Sequence, residues 1–518
     1  MLYVLVTGLT LAATWRLAGG HLVYVIDDPY ITMAMAKNLA LHGQWGITPF
    51  QFSSSSSSPL FTLLLAVAYR LTGVRPETAL LLSWCFGLVS LWAASRLLRR
   101  YVELWVEGLT LLSIVLLTPL FVTGTLGMEH SLHLLLCLLL AARWESSSPG
   151  ATAKTGLLVA AICGVRYEGL LMAAVLVLLL LLDRRWLRAG VVAVAAWVPV
   201  GVYAVFSLAH GGDWLPNSVA LKGLHVSGLG FAARVAAMRA VLSSNLYRGL
   251  PLCMLLGAVI VVGIGLAVSR KGNDHERRQR LLHLLTLVGG TGILHLLTGD
   301  VGWAFRYEDY LIGLGLVAIV CALPPLHEIN RLACVAGTLL FTCALLLLSA
   351  RAVLAAALLP RYSQAVYRQQ LQTAQFLGRY YAGAEIAAND IGLINFTTDL
   401  HCLDLSGLAS AEVFRAKRAG NFTTAAIDQE TIAAGTRIAV VYDTFFTDSR
   451  RETTGPLFGP ALPKSWVRVG RWSVPETLQL GDRTVSFYAV RPEEARALRA
   501  HLAEYERLLP SGVTVQQN

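Results

Sequence analysis

Apolar stretches that fit the roughly 30 Å of hydrocarbon in a bilayer recur along this chain to about residue 355 and then stop. That pattern constrains the fold more than any motif does, because backbone inside lipid must satisfy its own hydrogen bonds and crosses as helix or closed barrel. Eleven helical spans are expected, at about residues 2–22, 78–97, 103–122, 128–144, 153–166, 168–182, 189–209, 248–269, 280–298, 308–324 and 332–355. With 55% hydrophobic and 14% charged residues in 518, and a mean hydropathy of +0.58, the composition is far from that of a soluble domain. The expected fold is a polytopic α-helical membrane protein, with residues 1–358 as its transmembrane domain and 359–518 as a soluble C-terminal α/β domain.

The formal charge of +10 invites a nucleic-acid reading, but its surplus lies in short loops between apolar runs, such as 183–188 and 270–280. That is the positive-inside signature of a membrane protein, and no basic run marks the C-terminal part, so nucleic acid is excluded as a partner. With the N-terminus cytoplasmic, the loops holding residues 96–100, Lys154, 183–188, 270–280 and Arg331 all face the cytoplasm, and the C-terminal domain is extracytoplasmic. Residues 59–73 are left out of the spans because letting them cross would reverse every later loop. They are expected as a helix lying along the outer interface with Arg70 snorkelling, preceded by a flexible serine run at 53–58. Seven of eight cysteines sit in apolar segments, which argues against a disulfide framework. The N-terminal stretch lacks a basic n-region and a small-residue cleavage site and reads as a retained span.

This topology sends five polar segments to the outer side: residues 27–58, 127–130, 166–169, 211–222 and 299–310. They bring acids (Asp27, Asp28, Glu129, Glu168, Asp213, Asp300, Glu308, Asp309), cations (Lys37, Arg166, Lys222, Arg306) and aromatics (Tyr30, Trp45, Trp214, Trp303, Tyr307). Together these suit a sugar phosphate: aromatic faces cover a sugar ring, carboxylates bind hydroxyls and guanidinium neutralises a phosphate leaving group. A positioned Asp takes the proton from an attacking hydroxyl. Plainer readings stand beside these. Asp27 or Asp28 would cap the helix that Pro29 opens, one capping while the other reacts. Glu129 and His130 would begin a span, Arg166 and Glu168 would pair with each other, and Trp214 and Trp303 would join an interfacial belt. Asp213, Trp214 and Asn217 also read as turn chemistry. No metal-ligand set is read from the spacing and no cofactor is expected, although a divalent cation is compatible with such a site.

The segments IDDPYITMAMAKNLALHG, SSSPLFTLLLA, GMEHSLHLLL, GVRYEGLL, GDWLPNSVALK and NDIGLINFTTDLHCLDLSGLA resemble, in that order, bacterial polyprenyl-phosphate-dependent glycosyltransferases of the GT-C class. The nearest relatives by this resemblance are the terminal arabinofuranosyltransferases of the mycobacterial cell wall and their homologues. The resemblance implies a bacterial inner-membrane enzyme that moves arabinofuranose or a hexose from a polyprenyl-phosphate donor to a glycan or glycolipid acceptor of the envelope. It implies that Asp27 and Asp28 are the first-loop catalytic acids, one of them the base. Lys222 and Arg306, with Arg166 and Tyr307, would contact the donor phosphate. Tyr30, Glu129, His130, Glu168, Asp213, Trp214 and Asn217 would line the sugar or acceptor pocket. Tyr167 stands where relatives commonly carry proline between Arg and Glu, and the serine run replaces a Gly-Tyr-Thr-like sequence.

From about Pro360 the composition becomes ordinary, with strand-like runs at 385–388, 401–405, 437–442, 466–471 and 483–490 and helical stretches at 362–381 and 492–509. Asp390, Gly392 and Asp404 fall at strand ends, where they either face a ligand or serve as turn residues. No glycine-rich phosphate loop precedes a helix, so nucleotide use has no support. Two other classes remain open on sequence: a transporter or flippase of a lipid-linked or polar substrate, and an envelope scaffold.

Overall fold

The computed structural model describes residues 1–143, 150–222, 231–269, 274–323, 329–446, 458–475 and 481–517. Part of the basic 270–280 loop, residues 270–273, lies outside them. The chain is a polytopic α-helical membrane protein with a C-terminal α/β region. Each expected span has a helix: Leu2–Leu17, Pro76–Leu98, Leu104–Leu117, His130–Arg143, Ala151–Val165, Gly169–Leu182, Trp186–Ala209, Leu250–Val268, His275–Thr298, Asp309–Ala322 and Arg331–Val366. Five helical runs among the described residues are long and apolar enough to cross a bilayer, the last continuing from Arg331 to Tyr380. The helix Trp186–Ala209 leaves Val194, Trp197 and Val202 each more than 60% exposed, a face that would be costly in water and is at home in lipid.

Contacts divide the chain into two compact units. The first joins Met1–Thr10, Leu80–Val202 and Leu224–Ala357. In it the helix His275–Thr298 packs on Gly169–Leu182, Leu250–Val268 and Asp309–Ala322. Small residues let the backbones approach: Leu256 lies over Gly292, Leu255 over Gly315 and Leu134 over Gly313, where a β-carbon would collide. The helix Phe231–Arg248 also belongs here, and hydropathy did not reveal it because its sequence mixes polar and apolar residues.

The second unit joins Leu11–Ala79, Tyr203–Gly223 and Leu358–Asn518. Its centre is a six-stranded sheet of β1 (Glu385–Ala388), β2 (His401–Asp404), β3 (Ile438–Val441), β4 (Val467–Ser473), β5 (Thr484–Ala489) and β6 (Thr514–Gln517). The spatial order is β2-β1-β3-β5-β4-β6, with β1 parallel to β2 and β3 and the remaining pairs antiparallel. One face buries Leu405, Val441 and Trp466 with Ile427 of the helix Thr424–Ala433. The other buries Phe376, Trp472, Phe487 and Tyr505, with Phe376 edge-on to Trp472 and Phe487 at 5.5 and 5.4 Å. The five expected strands are present. β6 was missed because Thr514–Gln517 is polar and largely exposed, and so shows no apolar alternation.

Residues 59–73 do form a helix, Pro59–Thr72, burying Phe61, Leu65 and Tyr69 on one face while Leu64, Val67 and Leu71 stay exposed on another. The preceding serine run corrects an expectation. Instead of a flexible linker, Ser53, Ser54, Ser55, Ser56 and Ser58 are all buried. Ser54 bonds the Tyr203 hydroxyl at 2.8 Å, Ser56 bonds Thr62 at 2.7 Å, and Ser53 accepts the Ile47 N–H at 2.9 Å. Short hydroxyl side chains here bond one another and the backbone, with Ser58 Oγ left unpartnered, so a run of serines can be buried where longer polar side chains would not fit.

Candidate functional site

In the second unit the IDDPY segment opens the helix Asp28–His42, with Pro29 in its first turn. Asp27 stands at the N-cap, and its carbonyl accepts the Tyr30 N–H at 2.9 Å, but its carboxylate makes no bond to its own helix. It turns instead to the start of the short helix Gly392–Thr397, accepting the N–H of Gly392 at 2.5 Å and of Leu393 at 2.7 Å. A β-carbon at Gly392 would run into both the Asp27 carbonyl and its carboxylate, so only glycine admits this contact. Lys37, further along the first-loop helix and buried, grips the opposite end of the same short helix. Its Nζ donates to the carbonyls of Asn395 at 3.0 Å and Phe396 at 3.2 Å and pairs with Asp399 at 2.9 Å. Acid at the N-terminus and cation at the C-terminus match the exposed backbone groups of each end.

Asp390, which follows β1, lines the same cavity as Asp27. Tyr442 donates its hydroxyl to Asp390 at 2.8 Å, and the Gln370 amide donates to it as well. Gln370 reaches inward from a π-helical turn, Tyr367–Leu371, in the long helical run. Burial, then the charge of Asp390, pushes the Asp27 carboxyl well above the usual range, against the pull of the two backbone N–H groups. Burial also raises Asp390. The cavity beside the pair is small, about 20 Å³, and is also lined by Gln370, Thr373, Asn389 and Tyr442. Asp28, next in sequence, is half-buried.

Asp213 and Asn217 come together in a second cleft of this unit, about 470 Å³, with Phe52, Ser54, His210 and Arg415. The Phe52 and His210 rings stack at 5.3 Å, and the Asn217 N–H donates to the Ser54 carbonyl at 2.6 Å. Asp213 accepts the Trp214 N–H at 2.8 Å and is ion-paired with Arg418. Trp214 does not line the cleft and is 63% exposed. Tyr30 is buried in the packing, its hydroxyl accepting the Tyr24 N–H at 3.0 Å and its ring beside Tyr24 and Phe396. Lys222 ends the helix Asn217–Lys222, and its side chain lies outside the described residues. Asp404 resolves as a turn organiser: it accepts from the N–H of Ser406 at 2.8 Å and of Ala409 at 2.7 Å.

The first unit gathers Glu129, His130, Arg166, Glu168, Arg306 and Tyr307. The buried Arg166 guanidinium donates to Glu129 at 2.7 Å and contacts His130 Nε2 at 2.9 Å, and it is paired with Glu168. Arg166 and Arg306 both approach the Tyr307 ring, at 5.4 and 5.0 Å from its centre. Arg306 also touches Met128 Sδ at 2.9 Å and the Tyr307 hydroxyl at 3.4 Å. Its loop is sharply bent: Gly302, Ala304 and Phe305 have φ of 82°, 48° and 61°. Left-handed backbone at a bulky phenylalanine is costly and persists only where the surroundings hold it. Here Glu308 holds it, accepting the Gly302 N–H at 2.9 Å and pairing with Arg351 at 2.7 Å, while Arg351 covers the Phe305 ring at 5.5 Å. Arg351 was not anticipated, since an isolated arginine late in a span gives no sign of its partner. Two guanidiniums around one phenol ring, within apolar helices, suit a phosphate group. Among the described residues, no group of three or more His, Cys, Asp or Glu side chains is arranged to hold a metal ion.

Comparison with known proteins bears mainly on the α/β region. Residues 361–488 match the family model of a domain of unknown function, DUF8728. No curated protein matches the sequence significantly. Among solved structures, the chain is similar to ArnT from Cupriavidus metallidurans bound to undecaprenyl phosphate, at 14% identity and a TM-score of 0.44, covering 94% of this chain and 98% of that one. It is also similar to the oligosaccharyltransferase of Archaeoglobus fulgidus in its apo form, at 12% identity and a TM-score of 0.47, covering 98% of this chain and 78% of that one.

Proposed function

We propose that the chain is a membrane glycosyltransferase of the GT-C class, which moves arabinofuranose or a hexose from a polyprenyl phosphate to a hydroxyl of an envelope glycan or glycolipid. The observation that carries this reading is the buried pair of arginines, Arg166 and Arg306, around Tyr307. Glu129 and Glu168 already pair with Arg166, and the two guanidiniums gathered at one ring form a cationic face that a lipid phosphate from the bilayer would meet with charge-assisted bonds. In this reading Glu129, His130 and Glu168 orient Arg166, while Arg306 and Tyr307 meet the phosphate. Asp213 and Asn217 line the acceptor cleft.

Asp28, half-buried, is the base in this reading, while the Asp27 carboxyl serves to hold Gly392 and Leu393. The acceptor oxygen attacks the anomeric carbon and its proton passes to Asp28. The bond from that carbon to the phosphate oxygen breaks, and its electron pair leaves with the polyprenyl phosphate, stabilised by the arginines. The test is to incubate purified protein in nanodiscs with a panel of polyprenyl-phosphate sugars and an envelope glycan acceptor. Release of free polyprenyl phosphate together with a glycosylated acceptor is expected from at least one donor. Absence of both products across the panel contradicts the proposal.

A further inference from the structure

We infer that Asp390 is a positioning residue, forming with Asp27 a two-carboxyl, one-proton clasp that fixes the start of the first-loop helix and thereby sets the direction of Asp28. The inference rests on the reading of Asp28 as the base. Asp27 and Asp390 line one cavity, and two carboxyl groups meet there by a hydrogen bond only when one of them holds a proton, so the pair is assigned a single shared proton. Every other bond to the pair comes from a donor: Gly392 and Leu393 N–H to Asp27, and the Tyr442 hydroxyl and Gln370 amide to Asp390. Among the described residues, the donors bonded to the pair are all neutral, which suits a single negative charge spread over two carboxyls.

The clasp is built, and not an accident of surface acids. Gln370 reaches it from the only π-helical turn among the described residues, a distortion that commonly marks functional positions. Gln370, Thr373 and Asn389 are each at least nine-tenths buried and line the adjoining cavity. There Gln370 Oε1, Thr373 Oγ1 and Asn389 Nδ2 have no protein partner, so a polar space adjoins the pair. Asp27 immediately precedes Asp28, and Pro29 fixes the backbone beyond, so a movement of Asp27 away from Gly392 carries Asp28 with it.

The titratable groups facing the pair are Asp28 and Tyr30 on its own helix, Tyr442 after β3 and Cys402 on β2. The π-helical turn contributes the neutral Gln370, the helix Gly392–Thr397 has no ionisable side chain, and Lys37 is engaged by Asp399. Burial pushes Tyr30, Tyr442 and Cys402 up, so these three keep their protons while the pair titrates. Both carboxyls are raised in the folded state, so the stability they supply is complete below the ordinary carboxylate range and is lost as pH rises through the pair's own ionisation.

The test uses full-length protein in nanodiscs, wild type beside Asp390→Asn and Asp390→Ala, followed from about pH 5 to about pH 9 by thermal melting and by sugar transfer. In the asparagine variant the amide Nδ2 donates to Asp27 as the shared proton does, and its Oδ1 still accepts from Tyr442 and Gln370. We expect the wild type to lose melting temperature and kcat as pH rises, the asparagine variant to keep both without that loss, and the alanine variant to fall about tenfold to a hundredfold in kcat with little change in KM. A decline in Asp390→Asn that matches the wild type, or an asparagine no better than alanine, overturns the inference while leaving Asp28-dependent transfer standing. Melting curves that behave as expected without transfer from any donor support the clasp and remove the base assigned to Asp28.

Discussion

A carboxylate at a helix N-cap ordinarily serves its own helix, yet Asp27 gives both oxygens to another one, and in the proposed reading its neighbour Asp28 is the base. This division of labour between adjacent residues makes Gly392 a sharp test. Gly392→Ala places a β-carbon against the Asp27 carbonyl and carboxylate, and we expect a loss of about 1–3 kcal/mol, read as a lower melting temperature and lower transfer together. Tyr442→Phe removes one neutral donor to Asp390 and should cost about 1 kcal/mol in the same melt. The sequence displayed Asp27 and Asp28 as a pair of acids at a membrane exit but not which one reacts. The deciding partners, Asp390 and Gly392, are more than 350 residues away in the chain. Asp390 itself looked like any turn residue at a strand end, and only folding shows that it meets another acid.

Among the secondary-structure elements, strong periodic signals were legible and short or polar ones were not. Hydropathy located the spans, and alternation located five strands, because burial on a helix stripe or a sheet face leaves a repeating pattern. The helix Gly392–Thr397 is too short to show such a pattern, yet it is the element that the first-loop helix holds at both ends. Lys37→Met should release its C-terminal end, costing about 1–3 kcal/mol for the carbonyls and Asp399 left without their charged donor. The serine run misled for a different reason: a solvated linker and a buried hydroxyl network have the same composition. We expect limited proteolysis to spare residues 53–58, and Ser54→Val, which loses the Tyr203 bond and adds bulk at a buried position, to destabilise the fold by about 1–3 kcal/mol.

For the whole molecule, the apolar helices make a setting in which each polar cluster is a costly exception. In the first unit the exception is the group around Arg166, Tyr307 and Arg306, held by a strained loop that Glu308 and Arg351 secure. Sequence alone placed Arg166, Arg306, Tyr307 and Glu308, though not Arg351, on one side of a membrane. It could not show that two guanidiniums meet one ring, nor that the first-loop helix packs within the unit that contains the sheet. If the cluster binds the donor phosphate, Arg306→Met raises KM for the lipid donor at least about tenfold while the protein still folds, because charge-assisted bonds to phosphate are each worth about 1.5–3 kcal/mol. The most direct check of the central claim is single-turnover transfer from a bound polyprenyl-phosphate sugar by the Asp28→Asn protein, with donor binding measured in parallel. Our account predicts donor binding close to that of the wild type and a transfer rate lowered about a hundredfold to ten-thousandfold. Transfer at the wild-type rate would contradict it.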